Sequence, residues 1–210
     1  MEEIKLIILA IIQGITEPLP ISSSGHMVLF EELLSLELPG LYFETLVNFG
    51  SLFAIILFYW KDLKELISKS FVYLVKGKEG IEEFKYIMLV GLATIPAGLF
   101  GFLFSGVIEN YFKNILSVSV FLILTGVMLL SVERVKIKKK EKVTLFDSIL
   151  IGLAQIVALI PGVSRSGVTT VTGLSRGLQI EDALKFSFMM YIPISFLSGI
   201  YGIYNLNENE

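Results

Sequence analysis

A carboxylate, a carboxamide, three serine hydroxyls and the chain's only histidine lie within the fourteen residues from Gln13 to His26, QGITEPLPISSSGH. Gln13 and Glu17 are four apart, so on a helix they share one face and can present oxygens to one cation. A histidine changes charge near neutrality, so His26 could act as a general base or as a transient nucleophile. Ser23 could attack instead if His26 lies within hydrogen-bond reach, and the residues alone leave that choice open. A second polar island, Pro161 to Gly167 (PGVSRSG), carries Arg165 between two serines. Its guanidinium fork is suited to clamping a phosphate, and the backbone N–H groups of a glycine-bearing turn can add to the grip. Ser22, Ser24, Ser164, Ser166 and Thr169, with the turn glycines Gly25 and Gly167, are candidates for the same anion. Capping and turn formation are the competing roles for several of these hydroxyls, and an ion pair with Arg165 alone is the competing role for Glu17.

Apolar runs flank both islands, which places the polar groups at membrane depth. Of 210 residues, 54% are hydrophobic and 18% charged, the composition of an integral membrane protein. No stretch between apolar runs is long enough to bury a soluble core. The absence of cysteine excludes disulfides, thiolate metal sites and thiol nucleophiles, and a single histidine excludes a multi-histidine metal centre. Any metal must therefore be held by oxygens. Nothing in the sequence points to nucleic-acid binding.

The elements that must position the islands follow from the apolar runs. Ile4–Ile12 is about half of the ~20 residues a spanning helix needs. Pro18 and Pro20 stop it, the serine turn follows, and Met27–Leu36 is a second short run. This pattern predicts a re-entrant hairpin over 4–36, and Ser148–Ser164 with Ser166–Ser175 predicts a second over 148–175. Full spans are expected at Leu46–Trp60, Ile87–Phe104, Ile115–Val132 and Phe186–Tyr204, with Pro96 kinking the second. Glu44 and Asn48 near the first span are assigned equally to headgroup solvation and to the site. Lysines crowd the loop 61–85, and Arg134 to Lys142 is a basic run within the loop 133–147; the positive-inside rule makes both loops cytoplasmic and the N-terminus external in a multi-pass cell-membrane protein. The hairpins then enter from opposite sides and meet tip to tip.

That geometry predicts an inverted repeat. Laying the second island over the first places Gln13 on Gln155, Ile21 on Val163, Ser22 on Ser164 and Gly25 on Gly167 in a single register. The expected architecture is a single all-α membrane domain over 1–210, with a first repeat over 1–132 and a partial second over 143–204. Completing the second copy would take about two further helices, so a shortened architecture or a covering partner chain, such as a homodimer, is expected.

Gln13-xxx-Glu17 running into PISSSGH, with PGVSRSG downstream, resembles the membrane-embedded undecaprenyl-diphosphatase family, also known for bacitracin resistance. The likeness extends from the N-terminus to about Tyr204. It departs from the family pattern at Gln13, where glutamate is common, and at Pro18, where an aromatic is common. The resemblance implies hydrolysis of a polyprenyl diphosphate lipid to the monophosphate and inorganic phosphate, with a divalent cation, Mg2+ or Ca2+. It implies Glu17, Ser23, His26 and Arg165 as catalytic residues, Glu17 and Gln13 as metal ligands, and the serines, glycines and Thr169 named above as substrate contacts. A polyprenyl-phosphate carrier or a non-catalytic lipid-binding subunit are the alternatives of a different class.

Overall fold

The computed structural model describes residues 2–36, 41–77, 79–132, 140 and 142–208. Among the described residues the chain is helical and forms no strand. The first hairpin comprises α1 (Glu2–Thr16) and α2 (Ser23–Leu33). Pro18 and Pro20 cannot continue α1, and Ser22 starts α2 from a left-handed backbone (φ 68°), its hydroxyl accepting a hydrogen bond from the Gly25 N–H at 3.3 Å. The helices run back to back, since Lys5 near the start of α1 donates to the Leu34 carbonyl at 2.6 Å just past α2.

The second hairpin comprises α7 (Leu145–Val157) and α8 (Arg165–Ser175). Thr144 and Asp147 form a reciprocal capping box at the start of α7, and Ser164 caps α8 by accepting from the Gly167 N–H at 3.1 Å. Between the helices Gly162 turns the chain at φ 96°, with the Val118 carbonyl, which a Cβ would meet at 2.7 Å, closing off any side chain. Asp147 ties the open end of this hairpin together through Lys140 and through Arg176, whose Nε lies 3.0 Å away. Burial would raise the Asp147 carboxyl, but hydrogen bonds from Lys140, Thr144 and Arg176 outweigh it and hold the group at about 2.

The two hairpins correspond element by element. The register that carries Ser22 onto Ser164 also carries both bounds of α2 onto those of α8, and α7 falls within the shifted α1. Ser22 caps α2 and Ser164 caps α8, each onto the N–H of the glycine three residues on. Between them lie α3 (Leu41–Phe58), α4 (Trp60–Lys76), α5 (Ile81–Phe112) and α6 (Ile115–Ser131), and α9 (Ile180–Glu208) follows. The helices α5 and α9 are long and apolar enough to cross a membrane, and α3 with α4 would add a third span if the pair, bent by 73°, counted as one. Pro96 lies inside α5 and Pro193 inside α9.

Three sequence expectations are corrected. The stretch 61–85 is not a loop: α4 occupies most of it, and only residues 77–80 separate it from α5. Its lysines and glutamates face outward while Leu63 and Leu66 pack on the core, so an amphipathic period was hidden by charge density. The expected span Ile87–Phe104 is only the middle of a longer helix, α5, which runs on past Glu109 to a C-cap at Lys113. The expected span Leu46–Trp60 begins earlier, at Leu41, and ends at the bend beside Tyr59. The basic residues 134–139, together with Lys78, fall outside the described residues.

The core sits where α5, α7, α8 and α9 meet, around Val90, Ala93, Ile151, Leu174, Phe186 and Met190. Gly152 allows α7 to touch α5, because a Cβ there would lie 2.5 Å from the Ala93 carbonyl oxygen. A second cluster, Leu52, Ile55, Phe188 and Tyr191, joins α3 to α9.

Candidate active site

The end of α1 and the start of α8 bring opposite charges together. Glu17, the first residue past α1, is 8% exposed, and its carboxylate has three partners. Arg165, first in α8, donates from Nη2 to Oε1 at 2.5 Å; Gln13 donates from Nε2 to Oε2 at 2.9 Å; and the Ser23 hydroxyl, first in α2, donates to Oε2. Desolvating an ion pair costs several kcal/mol per ion, so this pair persists because neighbouring donors satisfy the carboxylate and because an aromatic ring backs the arginine. The Arg165 Cζ lies 3.9 Å from the centre of the Tyr191 ring.

Both hairpin tips rest on α6. Thr125 donates to the Gly162 carbonyl at 2.8 Å and accepts from the Ser164 N–H at 3.2 Å. Leu122 packs on Gly25, where a Cβ would meet it at 2.8 Å and the Gly162 Cα at 2.9 Å. Ser166 donates to the Leu19 carbonyl at 3.3 Å, closing the contact from the other side. The tips therefore approach backbone to backbone, which only glycine at 25 and 162 permits.

The sequence-derived candidates divide into two groups. Gln13, Glu17, Ser23 and Ser24 line a cavity of about 690 Å³, and Arg165 joins them through Glu17. Ser22, Ser164, Ser166 and Thr169 spend their hydroxyls on protein: Ser22 and Ser164 cap helices, and Thr169 donates to the Arg165 carbonyl at 2.8 Å and pairs with Ser187 at 2.6 Å. Gly25 and Gly167 serve close packing, with Met128 and Ser164 about a Cβ contact from Gly167. His26 makes no hydrogen bond to Ser23. Its Nδ1 lies 2.8 Å from the Ser22 carbonyl, which can only accept, so Nδ1 carries a proton and Nε2 is the ring nitrogen without a partner among the described residues. The group that touches the Ser23 hydroxyl is Glu17, a pairing without a local sign in the sequence because the proline turn separates the two.

The cavity follows α5, with Ala97, Gly98, Gly101, Phe102, Glu109 and Lys113 among its lining residues. That stretch of helix is about 24 Å long at 1.5 Å per residue. Apart from Ser105 its middle is apolar, and Lys113 and Glu44 form an ion pair at its end. A polar end and a long apolar wall suit an amphiphile with an anionic head. Thr125 and Tyr191 are residues around the site that sequence reasoning did not assign, and Asn48, which it divided equally between headgroup solvation and the site, lines the cavity.

Among the described residues no group of three or more Asp, Glu, His or Cys side chains could hold a metal ion. One carboxylate, the free Gln13 carbonyl oxygen and a hydroxyl do not make a protein cage, but they fit a Mg2+-like ion that takes its remaining ligands from substrate phosphates and water.

Fold and site together define a helical membrane protein whose two polar hairpin tips meet beside an apolar groove, with a serine and an arginine both bonded to one carboxylate. The model of the bacitracin resistance protein BacA family matches residues 6–210, and the chain belongs to that family. It is 43% identical over 195 residues to undecaprenyl-diphosphatase 1 of Bacillus licheniformis, covering 91% of this chain and 72% of that protein. Against undecaprenyl-diphosphatase 1 of Halalkalibacterium halodurans it is 43% identical over 208 residues, 98% of this chain and 76% of that protein. The undecaprenyl-diphosphatase of Oceanobacillus iheyensis is 39% identical over 203 residues, 95% of this chain and 74% of that protein.

Proposed function

We infer that this chain hydrolyses undecaprenyl diphosphate to the monophosphate and inorganic phosphate, recycling a lipid carrier of cell-envelope glycan synthesis. The observation that carries the reading is the contact of Ser23, Glu17 and Arg165 at the polar end of an apolar groove. The isoprenoid tail lies along α5 and the diphosphate reaches the hairpin tips. There its charge competes with Glu17 for Arg165, because a guanidinium binds phosphate in the same forked geometry as carboxylate. Glu17, released from Arg165 and still bonded to Ser23, becomes the base. The Ser23 Oγ bonds to the terminal phosphorus as the bond to the bridging oxygen breaks, and Glu17 takes the serine proton and passes it to the departing lipid monophosphate. Water then splits the phosphoserine, its hydroxyl going to the inorganic phosphate and its proton back to Ser23. His26 holds the Ser22 carbonyl through Nδ1, and so fixes the turn that carries Ser23, while Nε2 is left for the incoming water. Gln13 and Glu17 would hold a divalent cation, Mg2+ or Ca2+, which when bound neutralises phosphate charge. Ser24, which lines the cavity, faces the phosphates, while Ser22, Gly25, Ser164, Ser166 and Gly167 hold the two turns in shape around them, and Thr169 supports Arg165.

The same reading places the chain as one domain in the cell membrane, with α1–α2 and α7–α8 as re-entrant hairpins of an inverted repeat, the N-terminus outside, and α4 and residues 133–147 at the cytoplasmic face. Its support is the correspondence of the two hairpins in one register and the placing of lysines in 61–85. A homodimer remains part of the proposal.

The test is phosphate release from undecaprenyl diphosphate by the purified full chain and by Ser23→Ala, after acid quench in a single turnover. The reading requires release by the parent, a quenched phosphoserine that vanishes in Ser23→Ala, and no release by that variant. Undiminished release by Ser23→Ala would overturn the assignment of the nucleophile.

A further inference from the structure

Asn48 lies on α3, thirty-one residues beyond Glu17, yet it lines the same cavity as Gln13, Glu17 and Ser23. The Tyr191 hydroxyl, on α9, donates to its Oδ1 at 2.8 Å and lies 3.3 Å from its backbone carbonyl. A phenol hydroxyl has one proton to give, and the backbone carbonyl can only accept. With the carboxamide oxygen turned to Tyr191, the NH2 group, with two donors, has no hydrogen-bond partner among the described residues. The same Tyr191 presents its ring to Arg165 at 3.9 Å and is itself 2% exposed, locked between α3 and α9 by Leu52, Ile55 and Phe188. One rigid side chain thus orients a donor on α3 with its hydroxyl and a cation on α8 with its face.

The geometry points to Asn48 as a substrate-binding residue whose carboxamide N–H groups bond a phosphate oxygen of the lipid diphosphate, and to Tyr191 as the positioning residue that fixes both Asn48 and Arg165. The inference rests on the diphosphatase reading above and adds to it the residue that grips the head group from the side of α3. Arg165 must leave Glu17 when substrate arrives, so it needs a second support that does not compete for its N–H donors, and a ring face provides one. Asn48 is neutral, so it can hold a phosphate oxygen without an ion pair of its own that must first be broken. An aspartate at 48 would keep the bond from Tyr191 and set a negative charge against the phosphate. A phenylalanine at 191 would keep the ring on Arg165 and release the carboxamide to rotate. The two variants separate the two roles.

The experiment measures KM and kcat for phosphate release from undecaprenyl diphosphate by the full chain in detergent, for the parent, Asn48→Asp, Tyr191→Phe and Tyr191→Leu. Affinity for a methylene-bridged diphosphonate analogue of the lipid is measured on the same samples, along with the thermal midpoint. A hydrogen bond to a charged group is worth about 1.5–3 kcal/mol, so Asn48→Asp should raise KM and weaken the analogue by about tenfold or more, with the thermal midpoint unchanged. Tyr191→Phe should raise KM by about three- to tenfold with little change in kcat, and Tyr191→Leu should lower kcat as well, because Arg165 loses its backing. Asn48→Asp with KM and analogue affinity within twofold of the parent would overturn the assignment of Asn48. Equal kinetics for Tyr191→Phe and Tyr191→Leu would overturn the separate roles of ring and hydroxyl. A parent that binds the analogue without releasing phosphate would sink the hydrolysis reading while the analogue affinities still decide the role of Asn48.

Discussion

Replacing Glu17 by glutamine removes one negative charge and almost no volume, so its consequences can be worked out from the contacts. Three donors converge on this carboxylate, and two of them lose most by the change. Arg165, with a side chain 17% exposed, becomes a nearly buried cation without a counter-charge. Removing one member of a buried pair costs about 3–5 kcal/mol, and the remaining exposure together with the Tyr191 ring lowers that to about 2–3 kcal/mol. The Ser23 hydroxyl loses its base, which is worth about 10²–10⁴ in rate. Glu17→Gln should therefore fold with a lowered thermal midpoint and release phosphate at least a hundredfold more slowly. With divalent cation chelated, so that the loss of a cation ligand does not enter, the substrate should bind no worse than to the parent, because Arg165 no longer has to be drawn away from a carboxylate. The measurements are thermal unfolding in detergent, single-turnover release and analogue affinity in the presence of a chelator. A variant that kept more than a tenth of the parent rate would refute Glu17 as the base. One that bound the analogue much more weakly would refute the competition between carboxylate and phosphate for Arg165.

Other perturbations probe the frame around the site. Gly25→Ala should separate the hairpin tips, because the new methyl would lie 2.8 Å from Leu122 and 2.9 Å from the Gly162 Cα, and overpacking of this kind costs about 1–3 kcal/mol; unchanged activity and thermal midpoint would contradict the packing. Thr125→Val leaves the Ser164 N–H without its acceptor and should lower the thermal midpoint by the equivalent of about 1–3 kcal/mol, with activity falling because Arg165 follows directly in the chain. Asp147 should make the fold acid-sensitive. Its folded value, about 2, lies below the usual 3.8, so its contribution is fully present above about pH 4 and is lost as pH falls toward 2. The shift amounts to about 2 kcal/mol, and Asp147→Asn should remove that part of the acid dependence of the thermal midpoint.

Much of this site could be read from residues close together in the chain. Paired prolines followed by serines and a glycine announce a helix that stops and restarts, and both hairpins were legible from their short apolar runs and polar turns. Contacts made across many residues were not. Thr125 and Tyr191 sit in apolar runs, where a threonine commonly bonds its own helix and a tyrosine commonly marks an interface, so neither differs locally from a residue without a role. Asn48 could be noticed as polar and divided between headgroup solvation and the site, but not settled, since its partner lies 143 residues away. The direction of the His26 ring was not legible either: one helical turn carries its Nδ1 back to the Ser22 carbonyl and away from Ser23. The amphipathic α4 was read as a loop because its lysines and glutamates conceal the leucines that pack on the core.

The most direct test of the central claim is inorganic phosphate release from undecaprenyl diphosphate by the purified chain, with and without a chelator, beside Arg165→Ala. The account predicts release by the parent that a chelator suppresses and that Arg165→Ala abolishes. Folded parent protein that binds the lipid diphosphate but releases no phosphate, or an Arg165→Ala variant as active as the parent, would contradict it.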